Sequence, residues 1–226
     1  MKGMLSDMVN RTAEFERFDS AAINRLPICR FEGPVSVVRD KAGVLEALRE
    51  LDGERLLGFD TETRPAFKKG VRHAPALLQL AGTGRVYVFQ LTGMGLPDQL
   101  RALLADAARI KAGVALAHDV RELRAIADFA PAGFVELEQL ARRAGLKNFG
   151  LRGLAAALLG VRISKSSRLS NWAAPQLTPE QIAYAATDVW ISRELYLRFE
   201  RAGCSGTEIA AAPPLPPPNS ELHTPN

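Results

Sequence analysis

The chain has 226 residues, 47% apolar and 24% charged; this composition excludes a wholly disordered protein and is long enough to bury a real core. Its formal charge of +4 suits a polyanionic partner without identifying one. Two cysteines without CxxC spacing, Cys29 and Cys204, argue against a disulfide framework or a zinc site.

Residues 1–30 are polar with scattered apolar positions and read as a loosely held N-terminal arm. They lack the apolar run of a signal peptide, and no stretch of about 20 apolar residues follows, which predicts a cytoplasmic protein with no membrane partner. Residues 35–38 suit a strand, and Asp40 opens a helix with Val44, Leu45, Leu48 and Leu51 on one face. Strands are expected at 55–60, 76–81 and 85–90, the last two joined as a hairpin through Gly82-Thr83-Gly84. A helix over 96–105, a strand over 110–116 and a helix over 119–129 come next. Beyond residue 134 the pattern is almost entirely helical. A helix over 150–159 stops at Gly160, and a basic loop fills 161–176. Thr178, Pro179 and Gln181 form a capping box for a helix running to about 202. Residues 31–204 thus read as one α/β domain. The Pro-rich tail, 205–226, is predicted disordered and could dock a protein partner.

Five residues could carry chemistry. Asp60 and Glu62 close an apolar strand at spacing i, i+2, which puts both on one face. Paired carboxylates repel unless a cation lies between them, and an oxygen-only site suits Mg²⁺ or Mn²⁺. Two solvated acids at a strand end would look the same. Asp119, with Glu122 three residues on, is explained locally as a capping box. Tyr184 and Asp188 stack at i, i+4 on one helix face. Asp188 lies in mid-helix beside Val189 and Trp190, where a charge needs a partner: Arg193, the Tyr184 hydroxyl or a metal. Lys165 and Arg168, before Asn171-Trp172, could hold phosphates or belong to a solvated loop anchored by Trp172. No P-loop, G-x-G-x-x-G or G-x-S-x-G is present.

Taken in order, acid-x-acid, an acid 57 residues later and Tyr-x-x-x-Asp, the constellation resembles the DEDDy 3′-5′ exonuclease superfamily. Phe59-Asp60-Thr61-Glu62, Lys111-Ala112-Gly113-Val114 leading to Asp119, and Ser170-Asn171-Trp172 followed by Tyr184-Ala185-Ala186-Thr187-Asp188 resemble its three motifs. The likeness is greatest to Werner-type exonuclease domains and their small bacterial relatives, with ribonuclease D next. Thr63 and His118 depart from the usual Trp and small residue. The resemblance implies a ribonuclease H-like fold, a mixed β-sheet flanked by helices. It implies two divalent cations, Mg²⁺ or Mn²⁺, held by Asp60, Glu62, Asp119 and Asp188, with Tyr184 orienting the attacking water. It implies that the Thr61 backbone meets the 3′-hydroxyl of a nucleic acid with a free 3′ end, and that nucleoside 5′-monophosphates leave. A catalytically weak nucleic-acid-binding or adaptor protein on the same fold is the rival reading. Such a protein should have lost an acid or the tyrosine, and all five stand here.

Overall fold

The structure, a computed structural model, describes residues 17–68 and 70–204; the expected tail (205–226) and residues 1–16 of the expected arm lie outside them. Among the described residues six strands form one mixed sheet: β1 (Val35–Val38), β2 (Leu56–Thr63), β3 (Pro75–Ala81), β4 (Val86–Gln90), β5 (Ile110–Gly113) and β6 (Phe134–Glu136). Their spatial order is β1-β4-β3-β2-β5-β6. Strand β3 runs antiparallel to both its neighbours, and every other pair is parallel. The helices are α1 (Ser20–Arg25), α2 (Lys41–Glu50), α3 (Asp98–Ala105), α4 (Leu116–Ile126), α5 (Leu137–Arg143), α6 (Leu151–Leu159) and α7 (Pro179–Arg201).

Strand β2 is buried along its first half because it is central, with a helical layer on each face. Leu57 and Phe59 join Leu78, Leu80 and Phe89 against Val44 of α2, Leu100 of α3 and Val120 of α4. On the other face, Leu77, Ala81 and Val88 meet Trp172 and Ala185, Ala186 and Val189 of α7. Gly58 permits this second packing: a Cβ there would lie 2.0 Å from the Val189 carbonyl oxygen. Thr178 and Gln181 make the anticipated reciprocal cap on α7, and Gly160 ends α6 with φ +67°.

Three segments depart from the sequence reading. Residues 17–30 are pinned rather than loose. Asp19 caps α1, Cys29 N donates to the Arg162 carbonyl, and Arg162 N donates back to that of Pro27. These are polar, backbone-directed ties that apolar periodicity does not reveal. The strand expected over 110–116 ends at Gly113, since Ala115 turns the chain through the left-handed region (φ 62°) and α4 begins at Leu116. Asp119 therefore lies inside the helix and does not cap it. Strand β6 was not anticipated within the helical half; its three residues pass straight into α5 without a turn signal.

Candidate active site

Period-two alternation puts Gly58, Asp60 and Glu62 on the α7 face of β2, and α7 presents Tyr184 and Asp188 one turn apart. Asp119 arrives from α4 on the other side of the sheet end, where the Thr61 hydroxyl donates to its Oδ1 at 2.7 Å. The Thr61 N–H donates to Asp60 Oδ1 at 2.9 Å. The Tyr184 hydroxyl lies close enough to the Asp188 carboxylate for each to shift the other's pKa, and the Tyr184 ring packs 5.8 Å from that of Trp172. Arg193, the alternative partner for Asp188, instead donates to Thr83 Oγ1 at 2.7 Å and lies 3.9 Å from Glu54.

All four carboxylates are shifted upward, and Asp60 and Glu62 feel the charge of the others. Burial pushes Asp60 well above the usual carboxylate range, and Glu62, Asp119 and Asp188 push it further. Burial, then Asp188 and Asp119, raise Glu62 to about 8, with Arg168 pulling the other way. Burial raises Asp188 to about 7 against the Tyr184 hydrogen bond, and also raises Asp119 against the bond from Thr61. Burial and the neighbouring Asp188 push the Tyr184 phenol upward, so it stays a donor at neutral pH.

As placed, no three Asp, Glu, His or Cys side chains among the described residues converge closely enough to chelate one ion. One oxygen of Asp60 and one of Asp119 are instead engaged by Thr61. The donor set still fits a hard divalent cation: it is all oxygen, buried at Asp188 and half-buried at the other three, and short of positive charge. Asp60, Glu62, Asp119 and Asp188 could hold such ions.

The anticipated phosphate contacts divide. Arg168 is exposed, yet near enough to lower the pKa of Glu62. Lys165 is exposed, and its neighbours Ser164 and Ser166 line a small cavity of ≈ 60 Å³ with Arg30, Tyr184 and Asp188. Thr61 is buried, its N–H and hydroxyl both engaged by acids.

Sequence reasoning missed Arg30, which no local pattern connects to the loop or to α7. It also missed Glu136, a buried carboxylate at the end of β6 that accepts from Ala115 N at 3.1 Å and Leu116 N at 2.9 Å. Glu136 supplies the cap that Ala115 lacks and so fixes the start of the helix carrying Asp119. A lone acid after two buried apolar residues was the available signal. Gln79, directly across the β2–β3 ladder from Asp60, is fully buried with neither amide atom hydrogen-bonded among the described residues.

A mixed sheet of this order, with acids from its central strand meeting a long closing helix, defines a ribonuclease H-like nuclease domain. The 3′-5′ exonuclease family model matches residues 35–203, and the chain belongs to that family. The mouse bifunctional 3′-5′ exonuclease/ATP-dependent helicase WRN is 33% identical over 163 residues, covering 70% of this chain and 12% of that protein. Ribonuclease D of Gluconacetobacter diazotrophicus is 33% identical over 177 residues, 75% of this chain and 43% of the relative. The chain thus spans well under two thirds of either protein. Among solved structures, the Nibbler EXO domain of Aedes aegypti superposes with a TM-score of 0.67 at 23% identity, over 84% of this chain and 92% of that one. That last likeness speaks for the fold alone. The family generally depends on divalent metal.

Proposed function

We propose that the chain hydrolyses the terminal phosphodiester at the 3′ end of nucleic acid and releases nucleoside 5′-monophosphates. The observation that carries this reading is the gathering of Asp60, Glu62, Asp119 and Asp188 at the end of β2, with Thr61 tying Asp60 to Asp119 and Tyr184 beside Asp188. Asp60, Glu62 and Asp188 would hold one divalent cation, and Asp60 with Asp119 a second. When bound, Mg²⁺ or Mn²⁺ would neutralise the acids and polarise the scissile phosphate.

The protein's own residues account for the rest. Tyr184 donates a hydrogen bond and aims the attacking water at phosphorus, a role that matters mostly in the transition state. The new P–O bond forms as the P–O3′ bond breaks, and a proton passes to the departing 3′-oxygen. Glu136 holds α4, and through it Asp119, in register with β2. Arg168 offsets part of the carboxylate charge, which eases approach of the substrate phosphate, and Lys165 adds a further phosphate contact.

The test is a gel of 3′- and 5′-labelled DNA and RNA strands with Mg²⁺, Mn²⁺ or excess EDTA. Stepwise shortening of the 5′-labelled strand is expected with either metal. Undiminished shortening in EDTA, or internal cleavage, would overturn the reading.

A further inference from the structure

Beyond the acids, a second surface stands out by its charge. A groove of ≈ 690 Å³ is lined by Arg17, Lys147, Arg152 and Lys165, with Asp19 as its one acid. None of the four cations has a carboxylate within ion-pair distance among the described residues. Asp19 is occupied in capping α1. The Arg152 guanidinium donates only to the neutral Asn24 side chain, and its Nε is buried without a partner among the described residues.

This grouping is built by specific contacts. The Asn148 side chain clamps the Phe18 backbone twice, accepting from its N–H and donating to its carbonyl, each at 3.0 Å. That clamp brings Arg17 beside Lys147. Gly153 lets Asn148 lie against α6, since a Cβ there would sit 2.8 Å from that of Asn148. Gly150 starts α6 without a side-chain cap, so the helix's positive end adds to the field in the groove. Phe149 lines the same groove, half-buried, with the Arg142 guanidinium 4.0 Å over its ring.

The groove is also contiguous with the acids. Ser164 and Ser166 line the small cavity at Tyr184 and Asp188, while Lys165 between them lines the groove. One loop therefore borders both.

We propose that this groove binds the backbone phosphates of single-stranded nucleic acid on the 5′ side of the terminal nucleotide, so that the strand runs from Tyr184 across residues 164–166 onto α6. The direction of the strand rests on the exonuclease reading; the binding does not. A mixed basic and aromatic surface tracks a phosphodiester backbone without reading its sequence. It would hold DNA and RNA alike, and long strands better than dinucleotides.

The experiment measures binding separately from cleavage. Fluorescence anisotropy would follow labelled DNA and RNA single strands of about 12 nucleotides, a length within known single-strand site sizes, across a salt series with Ca²⁺ replacing Mg²⁺. The proteins are wild type, R17Q/K147Q, R152Q and R49Q. Arg17 and Lys147 are exposed, so the double variant spares the packing, and a thermal melt checks it. Arg49 is an exposed cation on α2, away from the groove. The slope of log affinity against log salt should flatten by about 1.4 in R17Q/K147Q, about 0.7 per lost contact on a single strand. R152Q should flatten it by about half as much, and R49Q should match wild type. The preference for long strands over a dinucleotide should shrink in both groove variants. Equal slopes in wild type and R17Q/K147Q would overturn the groove, whatever the gel shows; so would equally salt-sensitive binding of a polyglutamate peptide. A wild type that binds with its full slope but releases no nucleotide in Mg²⁺ or Mn²⁺ would uphold the groove and sink the exonuclease reading.

Discussion

The Tyr184 hydroxyl lies beside Asp188 while its ring leans on Trp172, so the proposed chemical role and a packing role fall on one residue. Tyr184→Phe separates the two, because it keeps the ring and removes one donor. Positioning and acid–base groups are worth about 10²–10⁴-fold in rate, and a fall in kcat of that order is expected with KM nearly unchanged. The stability change should be small, since Asp188 loses a hydrogen bond but keeps its surroundings. Single-turnover cleavage run beside a thermal melt decides the matter. A lower Tm with normal turnover per folded molecule would mean that the hydroxyl merely satisfies a buried acceptor. Thr61 illustrates what residue types alone conceal. Its hydroxyl secures Asp119 across 58 positions of sequence, and nothing local marks it for that task.

Two elements must meet accurately for the acids to face one another: β2 and α7. Their approach depends on Gly58, where an added Cβ would collide with the Val189 carbonyl. Main chain in the middle of a long helix has little room to yield, and overpacking of this kind costs about 1–3 kcal/mol, sometimes more. Gly58→Ala should lower Tm and, by moving Asp188 away from Asp60 and Glu62, lower activity in the molecules that fold. Gly84→Ala, with nothing within 4 Å, is the matched control and should be close to neutral. A wild-type melt and rate for Gly58→Ala would refute the close-approach argument.

The third element, α4, hangs on Glu136. Glu136→Ala strands the Ala115 and Leu116 N–H groups, at a cost of about 1–3 kcal/mol, and frees the helix start that aims Asp119. Both Tm and kcat should drop, and Glu136→Gln, which keeps one acceptor oxygen, should restore part of each. If Glu136→Ala lowers Tm but leaves kcat alone, the residue supports the fold and not the site. These elements also show what a sequence can reveal. Strands β1 to β4 and the capped ends of α2 and α7 were legible because they bear short apolar runs, a Gly-rich hairpin and side-chain caps. The left-handed turn at Ala115 was not, since alanine carries no signal for positive φ. Asp119 consequently read as a cap when the cap comes from 21 residues away. The four acids and the tyrosine were legible through family resemblance; Glu136 and Arg30 were not, because only the fold brings them to the site.

Charge is distributed unevenly over the whole molecule. Most of its ion-paired acids sit toward the surface beside arginines, as in Glu138–Arg142, Asp128–Arg124 and Asp52–Arg109. Asp60, Glu62, Asp119 and Asp188 form no ion pair within 4.0 Å among the described residues. The folded protein therefore binds protons at these acids more tightly than the unfolded chain does. Stability from that source is fully present below the ordinary carboxylate range and is lost as pH rises through about 7 for Asp188 and about 8 for Glu62. Metal-free protein should accordingly melt at a lower temperature near pH 8 than near pH 5, the window set by those two acids. A divalent cation displaces the protons and relieves the repulsion, and ligand binding to the folded state raises Tm. Saturating Mg²⁺ or Mn²⁺ should thus raise Tm more at pH 8 than at pH 5, and the apparent metal affinity should climb across the same interval. Melting curves in EDTA and in metal, taken at matched ionic strength over that range, supply the measurement. A metal-induced shift that is the same at both ends of the range would mean that the cation binds somewhere other than these four carboxylates.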